Sequence, residues 1–189
     1  MSLESILLQF GVPPRYAKAA RSMVGHGTEG AAYVLEGGTR VLKVNVTSKG
    51  QSIEHLARRV KGRTWAVSVL ACGPLIREGQ GRGRGGGAPA ARGFWYVMAR
   101  LYPLYSRERR ILDCGGFALV AGAKGQMTKT ASEAKWRQAV ALLSPALQRT
   151  LSKARRAGYH DLHGGNVMKT SSGAYKVIDV ESLRPVKRR

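Results

Sequence analysis

The apolar positions near the start of the chain recur at helical spacing. Leu3, Ile6, Leu7 and Phe10 predict a short amphipathic helix over 2–10. Pro13-Pro14 breaks it, and Ala17, Ala20 and Val24 predict a second helix over 15–24. A glycine-rich turn follows from Gly25 to Gly30. The period then shortens. Residues 31–35 and 41–46 alternate or run apolar, and Glu36-Gly37-Gly38-Thr39 between them is a hairpin signal. Residues 52–60 predict a short helix. Residues 65–70 and 94–98, rich in β-branched and aromatic side chains, predict strands. Between those strands the chain alternates arginine with glycine, a composition that does not pack, so 77–93 reads as a flexible loop. Such a segment fits an RNA-binding Arg-Gly stretch or a tolerated insertion at a hairpin tip.

The second half is helical. Thr130-Ala131-Ser132-Glu133 has the form of a capping box and opens a helix carrying Trp136, Ala139, Val140 and Leu143. Ser144-Pro145 supplies an N-cap and a first-turn proline for the next helix, with Leu147, Leu151 and Ala154 on one face and Gly158 at its end. A turn at Ser171-Ser172-Gly173 leads into a strand over 175–178, then Asp179. The class is α+β. A strand-rich first part over 1–101 and a helical second part over 102–189 meet near a connector at Arg100–Tyr102.

Composition changes this picture in one respect. Apolar residues at 43 % supply a core, and no run approaches the roughly 18 apolar residues of a membrane span. The start, Met1-Ser2-Leu3-Glu4-Ser5, lacks the pattern of a signal peptide, and two cysteines exclude a disulfide framework, so a reducing cytoplasm is expected. Charge is the outlier: 32 Lys and Arg against 11 Asp and Glu leave +21. Such a surface attracts polyanions, nucleic acid among them, whether or not that attraction is functional. Acids are scarce, and the aspartates are three: Asp113, Asp161 and Asp179.

Candidate chemistry sits where polar residues interrupt apolar runs. Gly25-His26-Gly27-Thr28-Glu29-Gly30 has the form G-x-G-x-x-G, with a helix expected before it and a strand after it. That order suits a glycine hairpin over nucleotide phosphates rather than a dinucleotide-binding turn. Lys43 lies inside the apolar strand Val41-Leu42-Lys43-Val44, pointing either to solvent or to phosphate charge. Asp161 and Asn166, five residues apart, precede Asp179 by eighteen and thirteen residues. A carboxylate can orient a hydroxyl and accept its proton, while an amide oxygen and a second carboxylate offer Mg²⁺ hard ligands. The alternative is an Asp-rich turn before a strand. His160 and His163 flank Asp161, and a zinc site there lacks a third nitrogen or sulfur ligand nearby in sequence.

Glycine hairpin, strand lysine, connector, helix, Asp-x4-Asn loop, strand and Asp follow one another over roughly 20–183. This order resembles the protein-kinase-like superfamily. Ala31-Ala32-Tyr33, Arg40-Val41-Leu42-Lys43-Val44, Asp161-Leu162-His163-Gly164-Gly165-Asn166-Val167-Met168 and Val177-Ile178-Asp179-Val180-Glu181-Ser182 resemble the early serine/threonine protein kinases of short-tailed bacteriophages. The resemblance implies a compact two-lobe protein-kinase-like fold, with an antiparallel-sheet N-lobe and a reduced helical C-lobe. It implies ATP and Mg²⁺ as cofactors and host bacterial proteins, transcription or RNA-processing machinery included, as substrates in the infected cytoplasm. Carried over by position, Gly25, Gly27 and Gly30 would cover the phosphates and Lys43 would contact them. Met98 and Leu101 would bound the adenine. Asp161 would be the catalytic aspartate, His163 would face the transferred phosphate, and Asn166 and Asp179 would hold Mg²⁺. Glu54 is the helical carboxylate placed to pair with Lys43.

Departures from the pattern accompany it. Asp-Phe-Gly is here Asp179-Val180-Glu181, His160 stands where an arginine is usual, and ten residues follow Asp179. Substrate recognition is therefore expected on other parts of the chain, the basic surface included. Two other readings remain open from the residues. One is a small-molecule phosphotransferase of the aminoglycoside or choline type, which shares the Asp161–Asn166 pattern. The other is a non-catalytic basic module binding nucleic acid or a host polymerase through Arg82, Arg84, Arg107, Arg109 and Arg110.

Overall fold

A computed structural model of the chain describes residues 1–27, 30–46, 53–75, 93–159 and 161–179. The class is α+β, and the chain divides into two compact units. One comprises Met1–Lys61 and Ser68–Arg100, the other Gly62–Val67 and Leu101–Arg189. The Gly/Arg-rich loop read over 77–93 lies outside the described residues except for Gly93, whose carbonyl accepts from Leu75 N at 2.9 Å. Among the described residues no helix is long and apolar enough to cross a membrane.

The first unit begins with α1 (Leu3–Gln9), capped by the Ser2 side chain, and α2 (Pro14–Ala19), which has proline in its first turn. Five strands follow: β1 (Ala20–Gly27), β2 (Gly30–Leu35), β3 (Arg40–Asn45), β4 (Val69–Pro74) and β5 (Phe94–Ala99). Helix α3 (Ile53–Val60) lies between β3 and β4 in sequence. The sheet order is β1-β2-β3-β5-β4, with every neighbouring pair antiparallel. The β2–β3 hairpin turns through Gly37 and Gly38, at φ 82° and 70°, a conformation that suits two glycines. One sheet face buries Leu35, Leu42, Val44, Trp95 and Val97 against Leu7, Val12 and Ala17 of the N-terminal segment. Tyr16 meets Trp95 with ring centroids 5.5 Å apart.

Two sequence expectations change here. The helix read over 15–24 stops at Ala19, because Ala20 is already extended and residues 20–27 pair with β2. Strand pairing outweighs the helical spacing of Ala17, Ala20 and Val24, and Val24 ends 51 % exposed rather than inward. The strand read over 65–70 is divided. Trp65–Val67 joins the second unit, where Ala66 bridges Val177 in parallel and Val67 N donates to Val177 O at 2.9 Å. The strand of the first sheet begins only at Val69.

The second unit contains β6 (Tyr102–Pro103), α4 (Ser106–Ala123), α5 (Lys129–Ala141), α6 (Pro145–Arg156), β7 (Val167–Lys169) and β8 (Tyr175–Val177). The three short strands form an antiparallel sheet in the order β6-β7-β8. Helix α4 has no counterpart among the elements read from sequence. Gly115 and Gly116 lie in its middle, where glycine disfavours a helix by about 1 kcal/mol each. Packing explains their presence. A Cβ on Gly115 would lie 2.9 Å from Ala139 Cβ, and one on Gly122 would lie 2.6 Å from Ser132 Cβ, so α4 and α5 meet through missing side chains. Ser132 Oγ donates to Ala118 O at 2.8 Å across the same contact. Thr128, not Thr130, caps α5, its hydroxyl accepting from Ala131 N. Glu133, expected to close the capping box, instead receives both guanidinium nitrogens of Arg155, at 2.6 and 3.1 Å. Helix α6 matches its sequence signals: Ser144 caps it, Leu147, Leu151 and Ala154 are buried, and Gly158 leaves it at φ 90°.

A polar cluster ties α4 to the small sheet. Glu108 accepts from the Tyr175 hydroxyl at 2.5 Å and lies 2.9 Å from Lys169 Nζ, with both charged side chains 16 % exposed. Burial would raise the Glu108 carboxyl, but the Tyr175 hydroxyl and the Lys169 ammonium outweigh it and hold the carboxyl below its usual range. Lys169 moves up for the matching reason: burial opposes its charge, and Glu108 more than offsets it.

A depressed carboxyl stabilises the fold above its unfolded value of about 4.3, and that stabilisation is lost as pH falls through the folded value. Glu108→Gln is therefore expected to cost about 1.5–3 kcal/mol at neutral pH, the range for hydrogen bonds to charged groups. Thermal melts should show the gap between the variant and the parent closing as the solution is acidified below pH 4. A gap independent of pH would show that the cluster acts through packing alone.

Candidate functional site

In the second unit the segment after α6 alternates buried apolar anchors with polar residues. Tyr159, Leu162 and Val167 are almost fully buried, and between them Asp161 and His163 remain partly exposed. His160 lies outside the described residues. The Asn166 side chain is 4 % exposed, and its Nδ2 donates to both the backbone O and the carboxylate Oδ2 of Asp161, each at 3.1 Å. That orientation turns Asn166 Oδ1 away from Asp161. His163 O accepts from Asn166 N at 3.0 Å, and His163 Nδ1 accepts from Gly165 N at 3.1 Å. The other ring nitrogen, Nε2, then carries the proton, 3.8 Å from Asp161 Oδ1.

Helix α4 supports this loop from one side. Asp113 Oδ1 accepts from Gly164 N at 2.8 Å. A Cβ on Gly164 would lie 2.8 Å from Arg109 O, and one on Gly116 would lie 2.6 Å from Leu162 O. Both glycines are there because loop and helix backbones nearly touch. Asp113 was not singled out for a role from the sequence, and its rarity as one of three aspartates was the available signal. The β7–β8 hairpin supports the loop from the other side. Its register continues into Ile178 N donating to Asn166 O at 3.0 Å, so Asp179 follows directly on the residue bonded to Asn166. Asp161 and Asn166, five residues apart, and Asp179, thirteen residues beyond Asn166, thus belong to one loop-and-hairpin unit.

Among the described residues no three His, Cys, Asp or Glu side chains cluster as a metal site, and the oxygens that the sequence singles out are the Asn166 amide and the Asp179 carboxylate. Amide and carboxylate oxygens suit Mg²⁺, which takes few protein ligands and keeps waters and phosphate oxygens for the rest.

In the first unit Lys43 lies on the sheet face opposite the one covered by α1 and α2. Register aligns Gly25, Ala32, Lys43, Tyr96 and Cys72 across five strands, and Lys43 Nζ lies 5.8 Å from the Tyr96 ring centroid. Helix α3 packs on β4 and β5, with Glu54 in its first turn. Burial pushes the Cys72 thiol up, and the negative charge of Glu54 pushes it further. Met98 is buried in β5, in register with Val41. Leu101 is buried as the first residue of the second unit's main segment.

The glycines of the hairpin differ. Gly27 pairs with Gly30 at its described end, and Thr28 and Glu29 lie outside the described residues. A Cβ on Gly30 would collide with Val44 O and lie 2.9 Å from Asn45 Oδ1, whereas one on Gly25 would meet nothing within 4 Å. Gly30 is thus demanded by packing on β3, and Gly25 is not. Of the arginines read as a basic surface, Arg107, Arg109 and Arg110 are exposed in the first turns of α4, and Arg82 and Arg84 lie outside the described residues.

Compared with known protein families and with curated protein sequences, the chain matches none.

The two glycines separate by substitution. Gly30→Ala is expected to lower stability by about 1–3 kcal/mol through overpacking, measured by denaturant unfolding. Gly25→Ala should stay within about 0.5 kcal/mol of the parent, so any loss of nucleotide affinity in it would report on phosphate approach rather than folding.

Proposed function

We propose that the chain is an ATP-dependent protein kinase that moves the γ-phosphate of ATP to serine or threonine hydroxyls. The observation that carries this reading is the Asn166 amide. Both Nδ2 bonds run to Asp161, one of them to its carboxylate, and Ile178, the residue before Asp179, donates its N–H to Asn166 O, which supports reading Asn166 and Asp179 together. A turn that merely led into a strand would not require a buried amide tied in this way. The sheet face carrying Lys43, with Gly25 in its row, supports nucleotide phosphate binding by the first unit.

The chemistry follows from the groups. Asp161 accepts a hydrogen bond from the acceptor hydroxyl and takes its proton as the oxygen attacks the γ-phosphorus. The new O–P bond forms as the bond from that phosphorus to the β,γ-bridging oxygen breaks, and ADP leaves with the electron pair. When bound at Asn166 and Asp179, Mg²⁺ supplies positive charge to the phosphate oxygens. The resemblance gives Lys43 of the first unit a phosphate contact, and His163 Nε2 lies 3.8 Å from Asp161 Oδ1 in the second. The acceptors would be proteins of a bacterial host, transcription or RNA-processing machinery among them, met in the infected cytoplasm. The +21 charge would speed encounters with acidic or nucleic-acid-bound targets.

The test is Mg²⁺-dependent transfer of labelled γ-phosphate from ATP into bacterial lysate proteins. Asp161→Asn, Asp179→Ala and Lys43→Ala are each expected to lose about a hundredfold or more of the labelling, in line with the contribution of a general base or a charge-stabilising group, with melting temperatures near that of the parent. Full activity in Asp179→Ala would remove the metal assignment. No labelling by the folded parent protein would overturn the kinase reading and favour the basic binding module, whose arginines Arg107, Arg109 and Arg110 are exposed on α4.

A further inference from the structure

A groove of about 520 Å³ opens between α5 and α6 in the second unit. The turn at residues 142–144 folds α6 back along α5, so Arg155 near the end of α6 meets Glu133 near the start of α5. The helices are thus joined at both ends, and the groove lies between, over the buried Trp136 and Leu151. Its two halves differ. Toward the turn it is walled by Val140 and Ala141, and Leu142 beside them in sequence is 66 % exposed. Away from the turn stand Arg137, Arg155 and Arg156. Arg155 is already engaged: its terminal nitrogens bond Glu133, and its guanidinium carbon lies 5.6 Å from the Trp136 ring centroid. Arg137 and Arg156 are exposed, and among the described residues neither has a side-chain hydrogen bond or an ion pair. Glu133 is the one acidic residue of α5 and α6, and Arg155, with Arg137 to a lesser degree, holds its carboxyl below the usual range. Three guanidiniums against one carboxylate leave this half of the groove positive.

We propose that this groove docks a segment of a partner protein that carries an apolar side chain and acidic side chains about one helical turn apart. The apolar side chain lies against Val140 and Ala141, and the carboxylates reach Arg137 and Arg156, whose planar guanidiniums suit two-pronged pairing. Arg155 contributes order rather than charge, because Glu133 and Trp136 fix it along the groove wall. Charge complementarity selects this occupant. A basic segment is repelled by the arginines. A wholly apolar one would cover Arg137 and Arg156 without giving them a partner, which costs free energy. A nucleic acid strand carries phosphate at every step, so it matches the positive half and sets charge against the apolar half. The assignment goes beyond the kinase reading and needs no phosphate transfer: it gives the basic chain a surface for acidic, apolar-anchored protein segments.

The test is the affinity of the full chain for short fluorescent peptides at physiological salt, read by anisotropy. One peptide pairs leucine with glutamates a turn away, a second replaces its leucine with serine, and a single-stranded RNA of equal charge is the third probe. The parent is expected to bind the leucine peptide about tenfold tighter than the serine peptide, the scale of one buried apolar side chain. Arg137→Gln with Arg156→Gln should weaken the leucine peptide about tenfold, the scale of two charge pairs. Lys61→Gln with Arg63→Gln removes the same charge at exposed positions outside the groove and should change that affinity less than about twofold. Ala141→Gln puts a polar amide into the apolar half and should bring the leucine-to-serine ratio toward one. Thermal melts confirm that each variant is folded; the replaced side chains are exposed. Equal losses in the two double variants would show that net charge acts rather than the groove. Equal affinity for the two peptides, or RNA bound more tightly and lost with Arg137 and Arg156, would also overturn the assignment. None of these outcomes bears on transfer from ATP, which the labelling experiment reads separately.

Discussion

The loop from Asp161 to Asn166 holds its shape because two elements grip it by backbone contact. Helix α4 approaches so closely that Gly116 and Gly164 have no room for a Cβ, and Asp113 accepts from Gly164 N at 2.8 Å. On the other side Ile178 N donates to Asn166 O. Within that grip the Asn166 amide spends its donor nitrogen on Asp161, which leaves the carboxylate oriented and the amide oxygen directed elsewhere. The chemistry proposed for the second unit depends on this two-sided constraint. A loop without it would sample many orientations of the carboxylate, and positioning is most of what phosphoryl transfer asks of a protein.

The first unit solves a different problem with one sheet. Strand alternation gives β3 two sets of side chains. Leu42 and Val44 enter the core made by α1 and α2, while Lys43 stands on the other face in a row with Tyr96 and Cys72. A lysine in an apolar strand is thus reconciled with burial of the strand, because only one face is given to the core. Helix α3 packs on β4 and β5, and the charge of Glu54 in its first turn is felt by Cys72 of that row. The glycine hairpin reaches its register through Gly30, whose lack of a side chain lets β2 lie against Val44 and Asn45.

Much of this was legible from local signals. The hairpin at Glu36–Thr39, the cap and first-turn proline at Ser144-Pro145, the buried stripe of α6 and its terminating glycine all follow from short-range chemistry, and the structure has them where the sequence puts them. Where the reading failed, a distant partner had intervened. Residues 20–24 carry helical spacing but pair with β2. Thr130 and Glu133 carry a capping-box pattern, but Arg155 takes Glu133. Residues 65–70 carry the composition of one strand but serve both units. Helix α4 escaped notice because its central glycines argue against a helix unless the close approach of α5 and the Asp161 loop is already known.

The sequence by itself determined the local elements, the basic character of the chain and the rarity of its aspartates, since these depend on neighbouring residues or on counting. It also marked Lys43, Asp161, Asn166 and Asp179 as residues out of keeping with their surroundings. Tertiary structure alone decided that the Asn166 amide ties to Asp161, that Asp113 anchors the loop, and that Asp113, Phe117 and Asp161 line one cavity. The Asp113–Gly164 relation joins residues 51 positions apart in the chain. Periodicity and spacing carry no record of such contacts, because they arise only when separate helices and hairpins pack at distances that a single missing Cβ can set.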